Sequence, residues 1–375
     1  MIYRSLVVAL FAGLLFSYNA YSQTESDPKT DTPLEVKIGQ MLKIGFRGME
    51  IADTNHIVRD IEKYHLGGVV LFDYDVPRGE AVRNIESPEQ VKNLVQDLKK
   101  QARIPIIVSI DQEGGQVARL KPKYGFTKTV SAQYLGEIDN PDSTRYYARQ
   151  TAETLSNLGI NVNLAPVVDV NINPENPVIG SIERSFSADP KTVAKHASIY
   201  INTLHEYNIL TVLKHFPGHG SSKKDSHLGV VDVTETWSEK ELIPYRKLID
   251  WGLADAVMTA HIFNARLDST YPATLSKPTI AGILRDDLDF DGVVISDDLM
   301  MGAIREEYGF KTTIKQALEA GVDILSFANN SVYDPDIVPK AHKIINKLIE
   351  NGEISKERID QSYQRIIRFK ERMDE

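Results

Sequence analysis

Short apolar runs alternate with longer amphipathic segments along most of this chain, and that alternation limits what it can fold into. The runs fall at 41–46, 66–72, 104–110, 162–168, 209–213, 255–260, 292–295 and 323–327, eight in all. Most are β-branched and continuous rather than alternating, as parallel strands covered on both faces are. Helical patterns lie between them at 87–101, 143–158, 190–207, 238–251, 277–286, 312–320 and 334–350, and a last one at 355–372 opens on the capping residue Ser355. Eight strand–helix repeats predict an α/β fold of the (β/α)₈ TIM-like barrel type. The competing arrangement is an open doubly wound sheet. It calls for a Gly-rich phosphate turn after the first strand, which is missing here. No Ser/Gly/Pro linker interrupts 34–375, so these residues are expected to form a single catalytic domain.

Composition removes several functions. The chain has no cysteine, which excludes disulfides, cysteine-ligated zinc and thiol catalysis. Net charge is −9 and no long Lys/Arg block occurs, so nucleic acid is not an expected partner. At the start, Arg4 precedes an apolar run at 6–16, followed by Ala20-Tyr21-Ser22. This is the layout of a secretory signal peptide over 1–22, with a polar tether at 23–33. The run is short of the ~20 apolar residues of a membrane span. The expectation is an exported protein, periplasmic or secreted, with no membrane span after cleavage. Its oligomeric state is left open.

In such a barrel, chemistry gathers at the ends of the strands on one face. The polar groups so placed are Asp111, Asp169, Lys214 and His215, His261, Asp297 and Asp298, and Asn329 and Asn330. Asp169 and the asparagine pair are expected to cap helices or turns, and His261 reads equally as a satisfied buried imidazole. The loop from Lys214 to His227 holds three of the nine histidines, more than a solvated turn explains. His215 and His219 have the i, i+4 spacing of a metal pair on a helix, but Pro217-Gly218 between them argues against a helix. Asp225, two residues before His227, is close enough to orient an imidazole for acid–base work. Strand alternation puts Val293, Ile295 and Asp297 on one side, with Ser296 and Asp298 on the other. One carboxylate therefore faces the barrel mouth while its neighbour caps the next turn; strand phase alone does not say which.

Read together, Asp111-Gln112-Glu113-Gly114-Gly115 with Arg119-Leu120, Ala165-Pro166-Val167-Val168-Asp169-Val170, Arg184-Ser185-Phe186, Lys214-His215-Phe216-Pro217-Gly218-His219-Gly220 with Asp225-Ser226-His227, and Ser296-Asp297-Asp298-Leu299 with Met301 resemble the signatures of the family 3 glycoside hydrolases. The resemblance is to the bacterial β-N-acetylglucosaminidase branch, in order along nearly all of the chain. It implies a retaining exo-β-N-acetylhexosaminidase acting on GlcNAc-containing glycans derived from peptidoglycan or chitin, with no cofactor and no metal. It also implies that Asp297 is the nucleophile, His227 the acid/base with Asp225 as its dyad partner, and Asp111, Arg119, Arg184, Lys214 and His215 the groups that hold the sugar. Relatives usually continue the Gly-His-Gly with Asp-Thr, whereas this chain has Ser221-Ser222, which leaves loop conformation and leaving-group preference open. Other readings are a β-N-acetylglucosaminide phosphorylase, since a neutral histidine does not repel phosphate, a family 3 β-glucosidase, a metal-dependent hydrolase and a non-catalytic glycan-binding barrel.

Overall fold

The structure, a computed structural model, describes residues 32–52, 55–81, 83–225 and 229–373. The expected signal peptide, and all of the tether but its last two residues, lie outside these. Eight parallel strands form one sheet: β1 (Leu42–Gly45), β2 (Gly68–Leu71), β3 (Ile107–Ile110), β4 (Val162–Asn163), β5 (Leu210–Phe216), β6 (Ala256–Thr259), β7 (Val293–Ile295) and β8 (Leu325–Phe327). Each strand pairs with its neighbours in chain order, and β8 pairs with β1. Between β7 and β8, Ser296 N donates to Ile324 O at 2.9 Å and Asp323 N donates to Val294 O at 2.8 Å, which closes the barrel.

Two strands differ from their sequence expectation for a common reason. The run at 162–168 keeps regular pairing only over Val162–Asn163, because Pro166 has no N–H to offer the ladder. β5 runs three residues beyond 213 because Val168 N donates to Lys214 O at 2.9 Å and Ala260 N to Phe216 O at 2.7 Å. Lys214 and His215 therefore stand on a strand rather than on a loop.

Three outer helices start on the same device, a side-chain cap followed by proline at the first helical position. Ser87 accepts from Gln90 N ahead of Pro88–Gln101, Asn140 from Asp142 N ahead of Pro141–Leu158, and Asp189 from Thr192 N ahead of Pro190–His205. The Asn140–Pro141 pair moves the second helix start from 143 to 141. The segment expected at 238–251 splits into a 3₁₀ turn, Glu239–Leu242, and a helix, Ile243–Asp250; Pro278–Asp287 is π-wound. Short helices at Leu34–Gln40, His56–Tyr64, Ala132–Ile138 and Gly302–Tyr308 were not anticipated; most are too brief to show two turns of amphipathic period.

The two ends of the barrel carry different kinds of charge. At the N-terminal ends of the strands the ion pairs are structural. Asp323 accepts from Arg285 Nη2 and Ser362 Oγ, both at 2.7 Å, and Asp255 accepts from Arg372 Nη2 at 2.6 Å and sits 2.7 Å from His205 Nε2. The C-terminal helix, Lys356–Glu371, docks there, with Lys370 Nζ buried and donating to Gln40 Oε1 and Gly67 O at 2.6 and 2.8 Å. The opposite end is left for chemistry. No described helix is long and apolar enough to cross a membrane.

Candidate active site

Asp111 follows β3 directly, and two residues on Glu113 returns to the same side of the chain. Both reach Lys214 on β5: its Nζ donates to Asp111 Oδ1 at 2.8 Å and to Glu113 Oε1 at 2.6 Å. Arg119 Nη2 reaches Asp111 Oδ2 at 3.3 Å. Arg184 grips Glu113 in a bidentate pair, Nε and Nη2 each at 2.7 Å. Burial pushes the Asp111 carboxyl up, but Lys214 and Arg119 outweigh it and hold the group well below the carboxylate range. Glu113 has the same balance, burial against Arg184 and Lys214, and is held at about 2.

A second network shares Arg184 with the first. Its Nη2 lies 3.2 Å from His215 Nε2, and His215 Nδ1 lies 2.7 Å from Asp169 Oδ2. A guanidinium only donates, so His215 Nε2 accepts and the ring proton sits on Nδ1, donated to Asp169. Asp169 also accepts the backbone N–H groups of His215 at 3.1 Å and His219 at 2.8 Å. This corrects the expectation that Asp169 caps a helix or turn: it is buried and fixes the tautomer and orientation of His215. Both ring nitrogens of His215 are engaged in this way, by Arg184 and Asp169. The His215–His219 stretch is not helical, so this pair lacks the helix-face geometry that its i, i+4 spacing would otherwise give.

Behind this strand end the loop turns at Gly218, whose φ is +118° and whose missing Cβ would fall 2.4 Å from Glu241 Cβ. Glu241 is buried and accepts from Gly220 N at 2.8 Å, and burial pushes its carboxyl up to about 8. His219 is buried against the same wall and lowered to about 4 by desolvation. Asp225 lies half-buried further along. His227, with Ser226 and Leu228, lies outside the described residues.

The structure separates the two carboxylates after β7. Asp298 Oδ1 accepts from Met300 N at 3.0 Å and Ala328 N at 2.9 Å, tying the turn to the end of β8. His261 is buried, with Nε2 donating to the Asp298 carbonyl at 2.9 Å and Nδ1 2.8 Å from Thr274 Oγ1. It is a satisfied imidazole that holds this turn. Asp297, partly exposed, takes the opposite phase; its Oδ1 accepts Asp298 N at 2.8 Å. Lys43 on β1 interacts electrostatically with both Asp111 and Asp297. Asn329 has the turn role expected of it, its Oδ1 accepting Asp334 N at 2.7 Å, but Asn330 caps no local turn: its Oδ1 accepts from Arg83 Nη1 at 2.6 Å and Val76 N at 3.3 Å, far away in sequence.

Sequence reasoning missed Lys43, Glu113, Asp169 as a working residue, and Glu241. Two of them left a signal. Lys43 breaks an otherwise apolar run, and Glu113 shares the parity of Asp111. A cleft of about 430 Å³ lined by Trp237, Arg246, Leu267 and Asp287 is separate from this network; none of the site carboxylates lines it.

The sequence profile of the glycosyl hydrolase family 3 N terminal domain matches residues 33–369. The chain belongs to this family. It is therefore a glycoside hydrolase, and relatives in the family agree in fold and sequence. A beta-hexosaminidase of Nitrosomonas eutropha is 33% identical over 79% of this chain and 81% of its own length. The beta-hexosaminidase LpqI of Mycobacterium tuberculosis is 33% identical over 89% and 82%. Among solved structures, a family 3 beta-N-acetylglucosaminidase from Paenibacillus sp. superposes with a TM-score of 0.83 at 35% identity. That match covers 92% of this chain, which spans only 63% of the Paenibacillus one. A beta-N-acetylhexosaminidase from Beutenbergia cavernae gives 0.81 at 28% identity, covering 91% of this chain and 99% of that one.

Proposed function

We propose that this family 3 enzyme is a retaining, exo-acting β-N-acetylhexosaminidase that releases terminal β-linked N-acetylglucosamine from peptidoglycan- or chitin-derived glycans. In the first step the Asp297 carboxylate attacks C1 of the sugar. The bond from C1 to the leaving oxygen breaks, and that oxygen takes a proton from His227. In the second, water gives its proton to His227 while its oxygen attacks C1, and Asp297 departs as the carboxylate. Two inversions give net retention. Asp225 orients the His227 ring. Lys214, Arg119 and Arg184 offer donors to the sugar, Asp111 an acceptor, and His215, held by Asp169, completes the rim.

The observation that carries this reading is the division of labour after β7. Asp298 is committed to two backbone N–H groups and Asp297 is partly exposed beside it, and both share the electrostatic neighbourhood of Lys43 with Asp111 and Lys214, groups from four different strands or strand ends. Those elements share only the barrel axis. The named activities of the relatives supply the choice of sugar. Replacing Asp297 with alanine tests the assignment: hydrolysis of 4-nitrophenyl β-N-acetylglucosaminide should fall by at least ~10³-fold, with the melting temperature retained. A folded Asp297→Ala enzyme with near-parental turnover would eliminate the nucleophile assignment. Export is part of the same proposal. It rests on the charged-then-apolar stretch around Arg4, and recovery of the activity only from the cytoplasmic fraction of the native host would count against it.

A further inference from the structure

The chain that carries Asp225 and His227 leaves the barrel at the end of β5 and later returns to it. Residues 217–222 are buried, while Lys223 and Lys224 beyond them are exposed. A short strand, Val231–Asp232, pairs with Ile262–Phe263, and the chain then comes back against the end of β5. There two hydrogen bonds join the returning arm to the leaving one. Trp237 Nε1 donates to Pro217 O at 3.1 Å, and Glu241 Oε2 accepts from Gly220 N at 2.8 Å. Asp225 and His227 therefore belong to a loop whose neck is closed by Trp237 and Glu241.

The leaving arm is held on both sides. Toward the segment after β4, Asn176 Nδ2 donates to His219 O at 2.7 Å and Asn173 Nδ2 to Ser222 O at 2.8 Å. Toward the returning arm, Gly218 has no side chain to keep it off Glu241, which is fully buried. Burying a carboxyl is costly. A leucine would pack there without that cost, but it would leave the buried Gly220 N–H without its acceptor. Burial pushes the Glu241 carboxyl up to about 8, so at neutral pH the neck is closed by a neutral acid.

We propose that Glu241 and Trp237 are positioning residues for the acid/base dyad: by closing the neck of its loop they set where the dyad stands relative to the leaving oxygen. The proposal rests on His227 as acid/base. Protonation needs the imidazole within hydrogen-bond reach of that oxygen, and a displacement of ~1 Å costs on the order of 100-fold. Attack by Asp297 comes from the end of β7, which the neck does not hold. Loosening the neck therefore slows proton transfer to the leaving group more than it slows attack, and the penalty grows with the basicity of that group.

The test compares kcat/KM at pH 7 for the full-length enzyme and its Glu241→Leu, Glu241→Gln, Trp237→Phe and His227→Ala variants. The substrates are phenyl, 4-nitrophenyl and 2,4-dinitrophenyl β-N-acetylglucosaminides. Glu241→Leu should lose about 100-fold on the phenyl glycoside and less than about fivefold on the dinitrophenyl one. Trp237→Phe, which keeps a ring and removes the N–H, should tilt the series the same way by about tenfold. Glu241→Gln matches the neutral acid in shape and still accepts from Gly220 N, so it should stay within about threefold of the parent throughout. Equal losses across the series in a folded Glu241→Leu enzyme overturn the proposal, because a merely structural wall slows every substrate alike. If that variant does not fold, an untilted Trp237→Phe overturns it instead. A glutamine variant as tilted as the leucine one also overturns it, since the hydrogen bond to Gly220 would then not be the cause. A His227→Ala enzyme with no tilt removes the acid/base reading underneath, which separates that failure from a failure of the neck.

Discussion

Asp169→Asn changes one oxygen to an amide nitrogen and leaves no comfortable arrangement around His215. The Asp169 carboxylate accepts the two backbone N–H groups on Oδ1 and the ring proton on Oδ2. An asparagine that keeps its oxygen on the backbone amides turns its NH₂ toward the His215 Nδ1 proton, donor against donor. Shifting that proton to Nε2 creates the same conflict with Arg184 Nη2, 3.2 Å away. Flipping the amide restores the ring contact but opposes two backbone donors. Each route loses at least one charge-assisted hydrogen bond and leaves a buried donor unmatched, together about 3 kcal/mol. If His215 must be held for the sugar to bind productively, kcat/KM should fall roughly 100-fold, since 1.36 kcal/mol is tenfold in rate. The assay is kcat/KM on 4-nitrophenyl β-N-acetylglucosaminide beside a thermal melt, with His215→Ala and the double variant completing a cycle. In the His215→Ala background the asparagine should cost little more. A folded Asp169→Asn enzyme within threefold of the parent, or full additivity in the cycle, would refute the claim that Asp169 acts through His215.

The other predictions concern the dyad loop and the far end of the barrel. His227→Ala should hurt substrates with poor leaving groups far more than activated aryl glycosides, which need little protonation; equal losses across a leaving-group series would count against an acid role. With phosphate added, the parent should still yield free N-acetylglucosamine of retained anomeric form by NMR rather than the 1-phosphate. The Glu241 carboxyl has a folded pKa raised from 4.5 to about 8 by burial, so its stabilising contribution is full below pH 4.5 and lost as pH rises through 8. A Glu241→Gln enzyme, which keeps an acceptor for Gly220 N–H, should lose that part of the decline in melting temperature; identical profiles would show that the carboxyl does not titrate there. Asp323→Asn, which breaks buried pairs with Arg285 and Arg358 far from the mouth, should lower stability by about 3 kcal/mol and leave KM alone; a raised KM in a folded variant would contradict the separation of the two ends.

What the sequence made legible follows from which interactions are local. The eight strands could be read because each buries both faces, so β-branched residues run without interruption whatever surrounds them. The choice between Asp297 and Asp298 was half legible: alternation puts them on opposite sides, but only the amides of Met300 and Ala328 decide which carboxylate is tied down. Asp169 was misread because a lone aspartate after a strand looks like a cap in one dimension. Its three donors belong to residues 46 and 50 positions away, reached only when β5 comes to lie beside β4. Glu241 is invisible for the same reason, since its partner Gly220 lies 21 residues back across the loop.

Lys43 presents the converse case. A lysine inside an apolar run has two cheap explanations, a strand edge with the ammonium in water or a register that points it outward. Closure of the barrel removes the first, and burial of Lys43 to 1% exposure removes the second. A charge that cannot escape must be balanced where it lies, and the acidic groups within its electrostatic reach are Asp111, Asp297 and Asp298. Asp298 is already stabilised by backbone donors, and Asp111 by Lys214 and Arg119. The lysine and these carboxylates therefore act on one another from three separate strands or strand ends, a balance that no single stretch of sequence displays.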